Sequence, residues 1–329
     1  MTGTLILGGG LAGAAAALWL AGNGHSATII EARPRLGGRA DSRDGGRSGG
    51  PVEYGGGWIR TDHAEVIALA QRLGINLTPR AAITSHSHFL DGSFHLTPAD
   101  DMAEHNAAIA TLQTDAAQMA SDSPTARLIH GMTLTHYMDH RALPASARRE
   151  ILAWWSISGS GDPSRIGANE YVTPKLARGL LIKLEELACT VGGGVTSLAR
   201  EAACASGAEV LLGDPDDAMV KAALAAAFPG AELVSCDRYD WCADPFAQGT
   251  WVSPHLDTLP HYAPEHWVPE HWVPEHWAPE HWAPDHWAPQ GRLAFAGADL
   301  YSAEQAWFEG ALLTARTAVA ALTLRLQKA

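Results

Sequence analysis

The sequence predicts an α/β fold of the Rossmann type, discontinuous along the chain and joined to a smaller, mainly helical lobe. Two short apolar segments, residues 4–7 and 27–30, are typical of buried parallel strands. A glycine-rich turn and an Ala-rich helix over residues 11–21 separate them. A strand, a glycine turn, a helix and a second strand in this order form the unit that binds a dinucleotide.

The glycine turn has the spacing that a pyrophosphate site requires. Gly8 permits the tight turn after the first strand, Gly10 lets the backbone approach a phosphate, and Gly13 lets the helix pack closely on the strand. Leu11 and Ala12 begin the helix, so their N–H groups and the positive end of the helix dipole face the phosphates. The alternative is a plain structural turn, but the surrounding strands and helix favour the dinucleotide site.

The segment after the second strand continues this predicted site. Glu31 ends the strand and is placed to accept hydrogen bonds from ribose hydroxyls. Arg33, Arg35 and Arg39 can neutralise a pyrophosphate, because guanidinium groups make bidentate contacts with phosphate oxygens. A solvated basic loop would explain these arginines but not the glycines beside them. The other predicted contacts here and in a second glycine run are Ala32, Gly38, Gly55, Gly56, Gly57 and Trp58.

Residues 31–39 and 53–59 resemble segments of the flavin-containing amine oxidase family, which includes monoamine, polyamine and L-amino-acid oxidases. The resemblance implies that both segments wrap FAD. Residues 292–299 are typical of a buried strand, and the long helix that follows, to about residue 326, is similar to the family's closing segment. There the resemblance implies that Asp299 holds the ribityl chain, although Glu is more usual at this position. The further contacts implied are Gly297, Trp307, Phe308 and Ala311.

A third resemblance lies in residues 241–251, which are similar to a turn that precedes the family's closing segment. It places Trp251 and Trp307 at the two positions of an aromatic cage, where flat faces orient an amine and exclude water. The alternative is that both tryptophans are ordinary core residues. Thr250 stands where some members carry a cysteine bonded to the flavin, so we expect FAD to be bound non-covalently.

The motifs divide the chain into five predicted parts. The first and last parts of the FAD-binding domain are residues 1–77 and 291–329, and a second part, shortened near residue 217, is 176–259. A helical substrate lobe occupies residues 78–175. Its His86, His88 and His95 suggest a metal site, but their spacing equally fits alternating strand positions, and no metal site is predicted. The fifth part, residues 260–290, is an insert.

This insert is a pentad repeat of His, an aromatic residue, an apolar residue, Pro and an acidic residue. Proline at every fifth position excludes a continuous helix and favours polyproline II or serial turns. Successive histidines would then be about 15 Å apart and could not share a metal ion without folding back. Metal capture and a pH-sensitive interaction segment remain alternatives, but a tandem expansion in a surface loop is the interpretation we favour.

After Asp217 the resemblance is interrupted, because the next matching helix follows at once. On the order of a hundred residues of the family pattern are absent at this point. They would carry the lysine that, in many members, holds a water at the flavin and assists the reaction with oxygen. Lys175, Lys183 and Lys221 lie in segments that match other parts of the family.

Composition agrees with a soluble enzyme. The 329 residues carry a formal net charge of −13, which argues against nucleic acid or an anionic membrane surface as partner. The first strand begins too early to leave room for a signal peptide, and no apolar run is long enough to span a bilayer. The four cysteines show no CxxC spacing, so we expect a reduced, cytoplasmic chain. The sequence leaves open whether the chain forms a homodimer.

The function that the sequence predicts is FAD-dependent oxidation of a small-molecule amine or amino acid. Hydride would pass to flavin N5, and O2 would reoxidise the flavin. Two alternatives remain open. One is a related FAD enzyme of the desaturase or protoporphyrinogen-oxidase type, and the other is a degenerate, catalytically impaired flavin-binding or interaction protein.

Overall fold

The computed structural model describes residues 3–45, 49–81, 85–90, 93–98, 103–119, 121, 123–158, 162–172, 188–212, 241, 243–245, 247, 294–300 and 307–326. Its strands are β1 Thr4–Leu7, β2 Ala27–Ile30, β3 Ser42–Asp44, β4 Pro51–Glu53, β5 Leu77–Pro79, β6 Ser85–Leu90, β7 Ser93–Pro98, β8 Cys189–Val191 and β9 Glu209–Leu211. Its helices are α1 Leu11–Gly22, α2 Ala64–Arg72, α3 Ala103–Gln118, α4 Pro124–His130, α5 Leu134–His140, α6 Ala145–Ser158, α7 Thr196–Ser206 and α8 Phe308–Leu326. Short 3-10 turns lie at Ala168–Glu170 and Ala298–Leu300.

A parallel sheet of order β1-β2-β9 forms the centre of the Rossmann unit. Ile6, Ile29 and Val210 are aligned across the three strands and face the main core, because side chains alternate between the two faces of a sheet. The predicted strands 4–7 and 27–30 are confirmed at their exact bounds. Parallel strands with a helix between them are the arrangement that the opening forty residues predicted.

Helix α1 is buried almost all round, which explains its uninterrupted run of alanine and leucine. Leu11, Ala14 and Leu18 join the core under α7, while Ala12 and Leu20 join a second cluster with α8. Small side chains allow both helices to pack closely on α1. The helix that carries the glycine turn is therefore the central element of this domain.

The predicted strand over residues 292–299 is wrong for its described part, since residues 294–297 form no strand and Ala298–Leu300 is a 3-10 turn. Instead of pairing with a strand, the N–H of Gly297 donates to Thr314 Oγ1 of α8 at 3.0 Å. The Thr314 hydroxyl also lies 3.1 Å from the Gly297 carbonyl oxygen. These side-chain contacts with α8 take the place of strand hydrogen bonds.

The helices α3–α6 enclose a separate core that includes Leu112, Tyr137 and Ile151. A buried network joins α3 to the end of α5, because Asp115 accepts hydrogen bonds from Tyr137 Oη at 2.5 Å and from Arg141 Nη2 at 2.6 Å. The five-part division of the chain stays a prediction. In the described parts of the chain, we find no helix with the length and apolar character needed to cross a bilayer.

The three histidines that suggested a metal lie in a β-hairpin. Strands β6 and β7 pair antiparallel, with His88 opposite His95 and His86 opposite Thr97. Their spacing is thus that of alternating strand positions, which was the interpretation of the sequence that needed no metal. Across the described ranges, no three His, Cys, Asp or Glu side chains are grouped so that they could hold a metal ion.

Candidate functional site

The glycine turn after β1 has the tight geometry that its sequence predicted. Gly8 has a φ of +110°, a backbone conformation that residues other than glycine rarely adopt. Its N–H donates to the Ile30 carbonyl at 2.8 Å. A Cβ at Gly13 would overlap the carbonyl oxygen of Gly8 and lie 3.1 Å from Ile6 Cγ2. Glycine at position 13 is therefore required for α1 to approach the end of β1.

The N-terminus of α1 lies beside a second glycine segment. Gly10 is the N-cap and has no side chain that could accept the first N–H groups of the helix, whose first turn also carries no acidic residue. The N–H of Gly37 donates to the Gly9 carbonyl at 2.8 Å, and Gly10 pairs with Gly37 in a short parallel bridge. The predicted contacts Gly10 and Gly38 are thus adjacent, since a Cβ at Gly38 would lie 3.3 Å from Gly10 Cα.

Glu31 is buried and connects the glycine turn after β1 to the segment after β2. Its Oε2 accepts the N–H of Gly9 at 2.7 Å, and its Oε1 accepts the N–H of Arg33 at 2.9 Å. A carboxylate oxygen can accept more than one hydrogen bond, so these contacts leave acceptor capacity on both oxygens. Glu31 therefore orders the glycine turn itself, a role that the sequence pattern did not predict.

Each of the three arginines predicted near the pyrophosphate contacts a carboxylate in the chain. Arg33 forms a buried bidentate pair with Asp244, at 3.1 Å from Nε to Oδ2 and 2.6 Å from Nη2 to Oδ1. Arg39 Nη2 contacts both carboxylate oxygens of Asp299, at 2.8 and 2.7 Å. The remaining pair joins Arg35 Nη2 to Asp41 Oδ2 at 3.1 Å. The Arg39–Asp299 pair brings together two predicted contacts that are 260 residues apart in sequence.

The second glycine run packs mainly against the protein. A Cβ at Gly55 would overlap the Arg39 carbonyl oxygen, one at Gly56 would lie 2.7 Å from Phe308 Cζ, and one at Gly57 would lie 2.9 Å from Glu53 Cγ. These close approaches explain why glycine is needed at all three positions. Trp58 is 40% exposed and lies against the guanidinium group of Arg80. Ala32 is exposed beside this site.

The turn from residue 241 is attached to the same region. Trp241 is buried, and its Nε1 donates to the Tyr54 carbonyl at 2.7 Å. Asp244 also accepts the N–H of Ala247 at 2.7 Å, so one carboxylate orders the turn and holds Arg33. Sequence reasoning found this turn but gave Asp244 no role. Trp251 and Thr250, predicted for the cage and the flavin linkage, lie outside the described residues.

Trp307 immediately precedes α8 and is half-buried. Its ring centroid lies 5.2 Å from that of His63 at an interplanar angle of 63°, and 5.4 Å from the Arg60 guanidinium carbon. His63 and Arg60 are both fully buried and were missed by sequence reasoning. Ala311 packs in the core beside α1, so any contact with a ligand there would be made by its backbone.

Two carboxylates that the sequence left unassigned, the buried Glu309 and the partly buried Glu53, hold helix N-termini. Glu309 Oε1 and Oε2 accept the N–H groups of Glu65 and Val66, at 2.9 and 3.0 Å, at the start of α2. Glu53 Oε1 accepts the N–H of Val195 at 2.9 Å, beside α7. Burial raises the pKa of the Glu53 carboxyl above its ordinary value. A carboxylate is the side chain that a helix N-terminus favours, but nothing in the local sequence shows which helix it will meet.

Comparison with known proteins identifies the family that this geometry resembles. The model of the family described as "Flavin containing amine oxidoreductase" matches residues 11–152. The (S)-6-hydroxynicotine oxidase of Paenarthrobacter nicotinovorans is 31% identical over 170 residues, which are 48% of this chain and 40% of that protein. A triple mutant of putrescine oxidase has a similar structure, with a TM-score of 0.55 and 25% identity over 65% of this chain and 51% of its own.

Cyclohexylamine oxidase from Brevibacterium oxydans shares the fold as well, with a TM-score of 0.56 and 23% identity over 65% of this chain and 51% of that one. The predicted resemblance to the flavin-containing amine oxidase family is confirmed, and so is the Rossmann-type flavoprotein fold. The family match indicates a flavin as the cofactor. The chain spans about half the length of these solved relatives and 40% of the curated relative.

Proposed function

We propose that this chain, which shares a family model and a flavoprotein fold with amine oxidases, binds FAD non-covalently and oxidises a small-molecule amine or amino acid with O2. The observation that carries the proposal is the contact between the amino-terminal and carboxyl-terminal motifs. Arg39 pairs with Asp299, and Gly56 lies against the ring of Phe308. Because both motifs were predicted to contact one cofactor although they lie at opposite ends of the chain, their meeting in space supports a single site.

The residues around α1 fit a dinucleotide. The N-cap Gly10 leaves the first N–H groups of the helix to an external acceptor, and a side chain added there would enter largely open space. Glu31 retains acceptor capacity for ribose hydroxyls beside the same loop. Arg39 and Asp299 are half-exposed, so both remain accessible to a ligand. We assign the pyrophosphate to the loop at Gly10 and Gly38, and the ribityl chain to Asp299.

The protein itself would orient the amine, exclude water and stabilise negative charge at this site. Bound FAD supplies the hydride acceptor for the carbon next to the amine nitrogen. Trp307 presents a flat aromatic wall that orients the amine and excludes water, and Trp251 is assigned the opposite wall. The start of α8 places the positive end of a helix dipole close to Trp307, where negative charge is stabilised. A reduced, cytoplasmic setting, without CxxC cysteines, belongs to the same proposal.

Purified protein tests each step separately. We expect a yellow protein whose chromophore is released by acid, and chromatography of the released material should show FAD. Peroxide release with a panel of amines and amino acids should then identify substrates, and Trp307→Ala should lower turnover while flavin remains bound. A colourless protein that takes up no FAD would overturn the whole proposal.

The degenerate flavin-binding alternative is distinguished by the same experiment. It is favoured by one observation in the sequence, the interruption of the family pattern after Asp217. A yellow protein that releases no peroxide with any compound of the panel would favour this alternative. The released FAD would then still confirm the cofactor site.

A further inference from the structure

The first residues of the α8 region are each anchored to one segment of the chain, residues 56–66. The Trp307 ring contacts His63 and Arg60, and the Phe308 ring lies on Gly56. Glu309 accepts the N–H groups of two residues at the start of α2. Three consecutive residues thus make three different kinds of contact with the same segment, so the position of the α8 N-terminus is set from outside the helix.

Glu309 provides the part of this anchor that depends on charge. The N-cap of α2 is His63, whose side chain makes no capping hydrogen bond, so the carboxylate of Glu309 caps the helix instead. Glu309 is only 5% exposed, and charge-assisted hydrogen bonds of this kind are about twice as strong as neutral ones. This contact fixes the distance between the starts of α2 and α8.

His63 provides the part of the anchor that touches Trp307. It is 0% exposed, and its Nδ1 lies 3.3 Å from the N–H of Arg60, which donates to it. This hydrogen bond to the backbone sets the orientation of the His63 ring. The ring meets Trp307 in a T-shaped arrangement. An aromatic pair of this geometry favours one orientation of the tryptophan, since edge-to-face and offset contacts are preferred over face-to-face stacking.

We propose that His63 is a positioning residue that fixes the orientation of Trp307, and through it the affinity for the amine. The inference rests on the proposed function, because Trp307 is the aromatic wall assigned there. In this inference His63 acts on the amine only through Trp307. Its effect should therefore depend on the presence of Trp307.

Two variants separate the ring contact from the hydrogen bond. His63→Asn removes the ring but keeps an acceptor for the Arg60 N–H, and Asn is a favourable N-cap. His63→Phe keeps an aromatic ring against Trp307 but has no acceptor. A purely structural hydrogen bond would make His63→Phe the damaging change, whereas positioning through the ring makes His63→Asn the damaging one.

The first measurement needs no activity. The near-ultraviolet circular dichroism of Trp307 is obtained as the difference between the protein and its Trp307→Phe variant. We expect His63→Asn to reduce this difference signal, and His63→Phe to retain it. Unfolding midpoints of all variants are measured alongside, so a general loss of structure is detected separately.

The second measurement is a double-mutant cycle on the amine KM. We expect His63→Asn to raise KM about three- to tenfold, with bound flavin unchanged. In the Trp307→Ala background the same change should alter KM by less than about twofold, because the two residues would act as one unit. Equal effects in both backgrounds, or a loss of the dichroism signal with His63→Phe alone, would overturn the inference. If the protein binds flavin but oxidises no amine, the proposed function fails, while the dichroism still decides whether His63 holds Trp307.

Discussion

Asp244→Ala should destabilise the fold strongly, because it removes the carboxylate that pairs with the buried Arg33. The two residues are 211 positions apart, and their contact ties the turn at residue 241 to the segment after β2. Asp244 is 5% exposed and Arg33 is 9% exposed, so solvent cannot replace the lost partner fully. The same change also removes the acceptor for the Ala247 N–H.

The magnitude follows from what Arg33 retains. Removal of one partner from a buried ion pair costs about 3–5 kcal/mol. Arg33 Nη1 still lies 3.7 Å from Glu31 Oε1, which offsets part of the loss. We therefore expect the free energy of unfolding to fall by about 3 kcal/mol, at the lower end of that range. Asp244→Asn keeps an acceptor for Ala247 and should give an intermediate loss.

Urea unfolding followed by circular dichroism measures this change, with the m-value checked for each variant. The matched control is Glu201→Ala, which breaks the exposed pair of Glu201 and Arg200, whose side chains are 43% and 62% exposed. Its expected cost is below about 0.5 kcal/mol. If Asp244→Ala falls within that same small interval, the pair does not stabilise the fold and our account of Arg33 is refuted.

Three further changes test other parts of the structure. Gly13→Ala should cost about 1–3 kcal/mol and lower the bound flavin, because its Cβ would overlap the Gly8 carbonyl oxygen. Its matched control is Gly50→Ala, where a Cβ meets nothing within 4 Å, and this control should change neither the urea midpoint nor the flavin absorbance. Glu309→Gln should lower the free energy of unfolding by about 1 kcal/mol in urea, through loss of the charged cap on α2; an unchanged midpoint would contradict that role.

The third change concerns pH. Burial raises the pKa of Glu170 from 4.5 to about 7, so the folded chain loses stability as pH rises through that interval. The free energy of unfolding of Glu170→Gln should exceed that of the native chain by up to about 3 kcal/mol at about pH 8, and the two should match near pH 4. Equal urea midpoints of the two proteins at both pH values would contradict the raised pKa.

The elements around the glycine turn could be predicted from the sequence because their signals are local. The apolar runs of β1 and β2, the alanines of α1 and the spacing of Gly8 and Gly13 all lie within thirty consecutive residues. Residues 294–297 were misjudged, because their apolar composition favours a strand, whereas the N–H of Gly297 donates to the Thr314 side chain on the next helix. Hydrogen-bond partners of this kind have no local signature.

The sequence by itself determined the Rossmann unit, the position of the glycine turn and the family resemblance that indicates a flavin. Those features depend on residue type and spacing along one continuous stretch, which a sequence records directly. Only the tertiary structure decided which carboxylate each arginine meets and that Glu309 caps α2. It also showed that His63 and Arg60 lie against Trp307. Such contacts join residues far apart in sequence, and packing of the elements fixes them rather than any local preference of the chain.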